Sequence, residues 1–243
     1  MFKSLTVIPC YNEGKRLSIE TFHVHLSNYP HDALLFVNDG SMDNTSSIIF
    51  EIAKSHQNAF HLDLDKNRGK AEAVRSGINY AFSNHDFKFI GFFDADMAMP
   101  LSTVQDLYQI LETTSYQVVI GTRFKRLGAK IERSKFRHFF GRVFATFAAN
   151  VIEMGVYDTQ CGAKIMTKEM AILAFKEKFI SKWLFDIEVL ARIKKGILNG
   201  ENLIYEFPLK EWKEIGGSKI KLTDIFRFPI ELLKIRRKYF FLE

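Results

Sequence analysis

Cysteine is scarce in this 243-residue chain, which has only Cys10 and Cys161, without the close spacing of a metal site. A disulfide framework is therefore not expected, and a reducing cytoplasmic compartment fits best. No stretch approaches the ~18–20 uninterrupted apolar residues of a membrane-spanning helix, so none is predicted. The first residues lack a basic segment followed by an apolar one, and we expect no signal peptide.

Acidic residues are outnumbered: 34 Lys and Arg against 28 Asp and Glu give a formal net charge of +6. Apolar residues make up 47% of the chain, which is enough for a buried core. The basic residues concentrate in residues 125–142 and 234–238. A solvated basic face would explain either segment, but Phe, Leu and Ile alternate with the charges, which favours an anionic surface or ligand.

Short apolar runs alternate with helical patterns through the first half of the chain. The predicted strands are residues 5–9, 34–38, 60–63, 89–93 and 118–121, and the predicted helices are residues 13–27, 45–55 and 69–82. This alternation predicts parallel βαβ units in a doubly wound α/β sheet. Ligands bind beyond the carboxyl ends of the strands in such sheets.

The second half is richer in aromatic and basic helical patterns. Helices are predicted at residues 134–154, 168–176, 184–194 and 225–240, the last interrupted near Pro229, and an edge strand at residues 203–207 stops at Pro208. Residues 158–166 form a short polar-then-apolar segment without an assigned element.

Acidic side chains follow three of the predicted strands. Glu13 follows the first, Asp39 the second, and Asp94 and Asp96 the fourth. Neighbouring carboxylates repel one another unless a cation or hydrogen-bond donors compensate. A divalent cation bridging carboxylate and phosphate oxygens would do so. An isolated Asp-x-Asp is typical of a turn. The pattern becomes specific because Asp94 and Asp96 follow one predicted strand while the turn that begins at Asp39 follows another.

Four motifs together resemble glycosyltransferase family 2, inverting enzymes with a nucleotide-diphospho-sugar-binding GT-A fold. They are VIPCYNE at residues 7–13, VNDGS at 37–41, NRGK at 67–70 and DAD at 94–96. The later motifs DTQCGAK at 158–164 and WKEIGGSK at 212–219 resemble the polyprenyl-phosphate branch, in particular its dolichyl-phosphate β-glucosyltransferases. The resemblance covers nearly the whole chain.

The resemblance implies a role for each matching residue. The nucleotide-sugar would be bound by Pro9, Tyr11, Glu13, Asp39, Lys70, Asp94, Ala95 and Asp96. Asp39 would bind the nucleobase, and Asp96 would ligate Mg²⁺ or Mn²⁺. The acceptor would be bound by Arg123, Arg133, Ser218 and Lys219, and the expected catalytic residues are Asp96, Arg123, Arg133 and Lys219. Lys70 could instead be a solvated lysine, and Arg123 could pair with an acid.

One position departs from the family pattern. Mannose synthases of this type often supply a second metal ligand, Gln, two residues after the Asp-x-Asp motif, and this chain has Ala98 there. The metal would then depend on water and phosphate oxygens, or bind more weakly.

The implied reaction moves a hexose from a nucleotide-sugar to a polyprenyl phosphate, with UDP-glucose favoured and GDP-mannose open. A lipid phosphate needs no strong general base, because it is already an anion near neutrality, with a second pKa of ~6. The alternative is a saccharide or other hydroxyl acceptor. That reaction would need a base, for which Asp186 or Glu188 would serve.

We expect a single glycosyltransferase domain over residues 1–243. Residues 1–124 would bind the nucleotide-sugar, and residues 125–243 would bind the acceptor. The two basic, Phe-rich helices of the second half would lie on the cytoplasmic face of a membrane as a peripheral attachment, or else complete the core or a dimer interface. Nucleic acid is not expected as a partner, because the strand-end carboxylates would repel phosphates without a metal. Oligomeric state is left open.

Overall fold

The computed structural model describes residues 1–216 and 222–241. Its central sheet has seven strands in the order β3-β2-β1-β4-β7-β5-β8. These strands are β1 (Phe2–Cys10), β2 (Asp32–Asn38), β3 (Ala59–Asp63), β4 (Phe87–Phe93), β5 (Val118–Thr122), β7 (Ala163–Thr167) and β8 (Ile204–Pro208). Two short strands, β6 (Lys130–Glu132) and β9 (Glu211–Lys213), pair separately in parallel.

Strands β1 to β4 are mutually parallel where they pair, and β8 is parallel to β5. Strand β7 lies between β4 and β5 and is antiparallel to both. The predicted doubly wound, mostly parallel sheet is therefore confirmed, as is the position of the strand after residue 203 at a sheet edge. The carboxyl ends of β1, β2 and β4 meet at one edge, which is where the acidic motifs lie.

Helices cover both faces of the sheet. They are α1 (Ile19–Asn28), α2 (Thr45–Ser55), α3 (Lys70–Asn84), α4 (Thr103–Thr113), α5 (Lys135–Ile152), α6 (Lys168–Phe175), α7 (Phe185–Gly196) and α8 (Leu222–Phe240). Strand β1 shows why two cores form: Leu5 and Val7 pack against α3 and α5 to α8, whereas Ile8 and Cys10 pack against α1, α2 and α4. Strands buried on both faces have continuous apolar runs, as in this sequence.

The sequence did not predict α4, β6 or β9, and it was wrong about three further elements. The first helix begins at Ile19 and not at residue 13, because the Ser18 hydroxyl caps it by accepting a bond from the Thr21 amide at 3.3 Å. The segment without an assigned element contains β7. Helix α8 continues through Pro229, and Leu232 and Ile235 beyond the proline are buried in the core.

Helices α5 and α8 pack on one another, with the Phe144 and Phe228 rings 5.6 Å apart. Each is amphipathic: Ala148 and Ile235 are buried, whereas Phe147 and Leu233 on the opposite sides are more than 60% exposed. The expected amphipathic helices of the second half are thus present. Within residues 1–216 and 222–241, no helix is both long and apolar enough to cross a membrane.

Candidate active site

The turn after β2 is held against the start of α3 through Asp39. One carboxylate oxygen of Asp39 accepts the Arg68 amide at 2.7 Å, and the other accepts the Gly69 amide at 2.8 Å. Gly40, with φ of +65°, makes this approach possible, because a Cβ there would lie 2.6 Å from the backbone of residues 66 and 67. Burial raises the pKa of Asp39, against the lowering effect of the two amide bonds.

The loop after β1 is joined to the same turn. The Asn12 amide donates to the Ser41 hydroxyl at 3.0 Å, and the Asn12 side-chain oxygen accepts the Met42 amide at 2.9 Å. The Glu13 amide donates to the Thr45 hydroxyl at 2.8 Å. Pro9, at the end of β1, and Tyr11 beside it are half-buried. The structure therefore brings the predicted residues of the first two strand ends together.

Lys70 and Asp94 form an ion pair, with 2.5 Å between the ammonium nitrogen and Oδ1. Each side chain is 30% exposed. The Lys70 ammonium also lies 5.8 Å from the centre of the Phe92 ring and 5.7 Å from that of Phe185. Burial alone would lower the pKa of Lys70, but the carboxylates of Asp94 and Asp186 outweigh it and raise the pKa. Lys70 is therefore a partly buried, ion-paired lysine and not a solvated surface lysine.

Asp96 ends the motif in a tight turn. Its Oδ1 accepts the Ala98 amide at 3.1 Å, and Met97 between them has a left-handed backbone with φ of +56°. The pKa of Asp96 is raised, first by burial and then by the nearby charges of Asp94 and Glu13. Ala95 is buried, 4% exposed.

The surroundings of Asp96 suit a divalent cation that is shared with a ligand. Excess negative charge at this carboxylate would be relieved by a cation, and oxygen is the donor that Mg²⁺ and Mn²⁺ prefer. In the part of the chain that the structure describes, no three His, Cys, Asp or Glu side chains form a metal-binding group. A cation at Asp96 would therefore take its remaining ligands from phosphate and water.

Arg123, just beyond β5, is paired with Asp158. Its Nε and Nη2 donate to the two carboxylate oxygens at 2.6 and 2.7 Å, and the guanidinium lies 5.4 Å from the Trp212 ring centre. Burial disfavours the charged form, but Asp158 and then Asp94 raise the pKa of Arg123. The guanidinium is therefore held in a fixed orientation on the Asp94 side of the sheet.

The remaining predicted acceptor residues are less completely placed. Arg133 lies against α5, where a Cβ on Gly141 would come within 2.6 Å of the Arg133 Nη2 atom. Ser218 and Lys219 lie outside the described residues.

Three residues near the predicted site have ion-pair partners that the sequence did not indicate. Asp158 holds Arg123, whereas Lys164 and Asp186 form an ion pair of 2.5 Å with side-chain exposures of 0% and 5%. Asp158 and Lys164 belong to a recognised motif, but a lysine within an apolar strand pattern is ordinarily taken as solvent-facing. Asp186 was considered only as a general base, since its partner is 22 residues away in the sequence.

This mostly parallel sheet flanked by helices is that of GT-A glycosyltransferases, and solved structures of that class share the fold. Glucosyl-3-phosphoglycerate synthase from Mycobacterium tuberculosis in complex with UDP matches with a TM-score of 0.70 and 16% identity, over 98% of this chain and 80% of that one. Its complex with Mn²⁺ and UDP-glucose matches with a TM-score of 0.69 and 19% identity, over 97% and 79% of the two chains.

The sequence comparison is more specific than the fold. The model of glycosyl transferase family 2 matches residues 6–173, and the chain belongs to that family. A dolichyl-phosphate β-glucosyltransferase of Trichomonas vaginalis is 30% identical over 94% of this chain and 71% of its own length. The dolichyl-phosphate β-glucosyltransferase of Saccharomyces cerevisiae is 31% identical, with 96% and 74% covered.

Proposed function

We propose that this glycosyltransferase moves glucose from UDP-glucose to a polyprenyl phosphate, with inversion at the anomeric carbon. The observation that carries the proposal concerns Asp186 and Glu188, the two candidate general bases for a hydroxyl acceptor. Both side chains are buried and ion-paired. The names of the relatives, dolichyl-phosphate β-glucosyltransferases, support the sugar and the class of acceptor.

Neither acid is placed to remove a proton. Glu188 is fully buried and accepts from the Ile180 amide at 2.8 Å, Arg192 at 2.9 Å and the Tyr239 hydroxyl at 2.8 Å. Asp186 is held by Lys164. A phosphate acceptor removes the need for a base, because it is an anionic nucleophile near neutrality, with a second pKa of ~6.

The donor would occupy the edge formed by β1, β2 and β4. Asp39 is proposed to contact the nucleobase, with Pro9, Tyr11 and Glu13 shaping that pocket, while Asp94 and Ala95 lie beside the sugar and ribose. Lys70, at the first position of α3, adds an ammonium charge to a helix N-terminus, which favours the diphosphate.

Asp96 is proposed to hold Mg²⁺ or Mn²⁺. A bound cation would neutralise charge on the departing nucleoside diphosphate. The complexes of the mycobacterial neighbour with Mn²⁺ and UDP-glucose support a metal and a uridine nucleotide for this chain as well.

The acceptor phosphate is proposed to bind at Arg123 and Arg133, with Ser218 and Lys219. A guanidinium has five N–H donors, and Asp158 takes two of those on Arg123. The others remain for an acceptor phosphate, and the ion pair fixes their direction. Binding the nucleophile in a set orientation replaces proton abstraction as the main contribution to rate.

A membrane-facing surface, formed by the outer sides of α5 and α8, would present the lipid acceptor. On α5, Phe139, Val143 and Phe147 recur every four residues and are 63%, 40% and 62% exposed. Ile230 and Leu233 on α8 are 57% and 63% exposed. The basic residues beside them are exposed too, namely Lys234, Arg237 and Lys238.

Apolar side chains flanked by exposed cations suit the interface of an anionic bilayer, where each basic residue contributes about 1 kcal/mol. We therefore propose peripheral attachment at the cytoplasmic membrane face through residues 125–243, with residues 1–124 binding the nucleotide-sugar.

A donor competition experiment tests the sugar assignment. Purified protein would be incubated with Mn²⁺, polyprenyl phosphate and either UDP-glucose, UDP-galactose or GDP-mannose, and lipid-linked sugar would be counted. UDP-glucose should give the highest kcat/KM. Faster transfer from GDP-mannose would overturn the donor assignment while leaving the acceptor assignment intact.

A further inference from the structure

We propose that Lys164 and Asp186 form a buried positioning pair that holds the loop of residues 158–162, and with it Asp94, in the geometry needed for donor binding. This inference rests on the proposed function for its reaction, but its geometry and its binding test do not depend on the acceptor. Both side chains are buried, so neither is exposed to bind a substrate directly.

Lys164 binds the backbone of the loop of residues 158–162. It is the second residue of β7, paired with Phe92 of β4, and is fully buried. Its ammonium donates to the Thr159 carbonyl at 3.2 Å, the Cys161 carbonyl at 2.8 Å and Asp186 Oδ1 at 2.5 Å. All three N–H donors are therefore used, and two of them fix the loop backbone.

The loop fixed in this way contacts both predicted halves of the active site. At its start, Asp158 holds the Arg123 guanidinium. At its end, the Gly162 carbonyl accepts the Asp94 amide at 2.9 Å, and a Cβ on Gly162 would lie 1.9 Å from Asp94 Oδ2. A shift of this loop would therefore move both the Asp94 carboxylate and the Arg123 guanidinium.

Asp186 extends the same arrangement to Lys70. The ammonium groups of Lys70 and Lys164 lie 5.8 and 5.3 Å from the centre of the same Phe92 ring. Asp94 is ion-paired with Lys70, the charge of Asp186 also favours the charged form of Lys70, and Asp186 is itself ion-paired with Lys164. Removing the Lys164–Asp186 pair would leave Asp94 as the main acidic partner of Lys70 and free the loop backbone.

Stability alone does not account well for such a pair. Replacing both members of a buried ion pair by neutral residues is often neutral for folding, whereas removing one member alone is strongly destabilising. Positioning predicts a different pattern, in which the double replacement restores stability without restoring activity.

The test compares two double variants, one of the pair between β7 and α7 and one of a pair within α7. Lys164→Met with Asp186→Asn removes the proposed positioning pair. Arg192→Met with Glu188→Gln removes a matched pair on α7, also buried and in contact with backbone carbonyls, with side-chain exposures of 5% and 0%. For each variant, thermal unfolding, the Kd for UDP with Mn²⁺ by calorimetry, and kcat and KM for UDP-glucose would be measured.

We expect the first double variant to bind Mn²⁺–UDP about 10-fold or more weakly and to lose about 100-fold in kcat/KM, since a misplacement of ~1 Å has that order of effect. The Arg192→Met, Glu188→Gln variant should differ from wild type in unfolding temperature alone. If the first variant does not fold, Asp186→Glu, which keeps the charge of the pair but lengthens the side chain that holds the Lys164 ammonium, should show a smaller loss of the same kind.

Two outcomes would overturn the inference: Mn²⁺–UDP affinity unchanged in the folded Lys164→Met, Asp186→Asn variant, or an equal loss in both double variants. Failure of the wild type to glycosylate polyprenyl phosphate would instead reject the proposed function. The UDP-binding comparison would remain decisive for the positioning pair in that case.

Discussion

Three aspartates at adjacent strand ends differ in how their charge is compensated. Asp39 accepts two backbone amides, Asp94 is paired with Lys70, and the described contact of Asp96 is a single amide, that of Ala98. Asp96 is thus the carboxylate with the least compensated charge of the three, and this is a physical reason to assign the metal to it. A spacing of two residues in the sequence could not distinguish Asp94 from Asp96.

Asp96→Ala should reduce sugar transfer below detection in an assay that resolves a 1,000-fold loss. Without the metal, the negative charge on the departing diphosphate would no longer be neutralised. The measurement is transfer rate from UDP-glucose across a Mn²⁺ titration. Asp86→Asn, just before the opposite end of β4 and with a 65% exposed side chain, is the matched control and should keep full activity. Normal transfer by Asp96→Ala would refute its role.

Gly162→Ala tests the close approach between the loop and Asp94. The added Cβ would lie 1.9 Å from Asp94 Oδ2, so the carboxylate or the loop must move, and we expect kcat/KM to fall about 100-fold. Gly155→Ala is the control, since nothing lies within 4 Å of its added Cβ. Equal activities of the two variants would show that this contact is not needed.

The sequence predicted which residues gather at the strand ends better than it predicted their partners. Arg123 was expected to hold phosphate, and its ion pair with Asp158, 35 residues further along, depends on β7 entering the sheet. Lys164 was hidden for a related reason. Its charge is tolerated in the core because three acceptors surround it, and no local pattern encodes those acceptors.

At the scale of elements, β7 is the strand of the central sheet that the sequence did not reveal. It has five residues and follows a polar loop, and it runs antiparallel between two strands that were themselves predicted correctly. A strand inserted in this way has no βαβ signal. The regular first half, where each strand is followed by a helix, was predicted to within a few residues, apart from the late start of α1 and the missed α4.

The Arg123–Asp158 pair joins the end of β5 to the loop before β7, and it should make stability depend on acid pH. Burial would raise the pKa of Asp158, but Arg123 outweighs this and holds it at about 2, below the ordinary 3.8. Stability from the pair is therefore fully present above pH ~4 and lost as the pH falls toward 2. The difference corresponds to about 2 kcal/mol.

Urea unfolding of wild type and Asp158→Asn between pH 2 and pH 6 measures this contribution. The difference in unfolding free energy between the two proteins should shrink by about 2 kcal/mol as the pH falls through that range. A difference that stays constant with pH would contradict the assigned ion pair.

At the scale of the whole molecule, the two halves differ in what they expose. The edge formed by β1, β2 and β4 presents carboxylates and Lys70, whereas α5 and α8 present aromatic and aliphatic side chains beside exposed cations. Amphipathic periodicity in the sequence predicted both helices. It could not show which of their faces the core covers, because that depends on contacts between α5, α7 and α8.

Phe139→Glu with Phe147→Glu should abolish flotation with vesicles containing anionic lipid. The variant loses two aromatic side chains that would be buried in the bilayer interface, and it gains two negative charges that anionic lipid repels. Phe50→Glu on α2 is the control: its ring is 54% exposed but lies on the other side of the sheet, so binding should persist. Unchanged flotation of the double variant would exclude this surface as the membrane contact.

Acceptor identity is the most direct test of the central claim. Wild-type protein, Mn²⁺ and labelled UDP-glucose would be supplied in parallel with vesicles containing polyprenyl phosphate, vesicles containing the corresponding polyprenol, and a soluble saccharide. We predict label only on polyprenyl phosphate, as an acid-labile glycosyl phosphate with β configuration. Label on the polyprenol or the saccharide, with none on the lipid phosphate, would contradict the account.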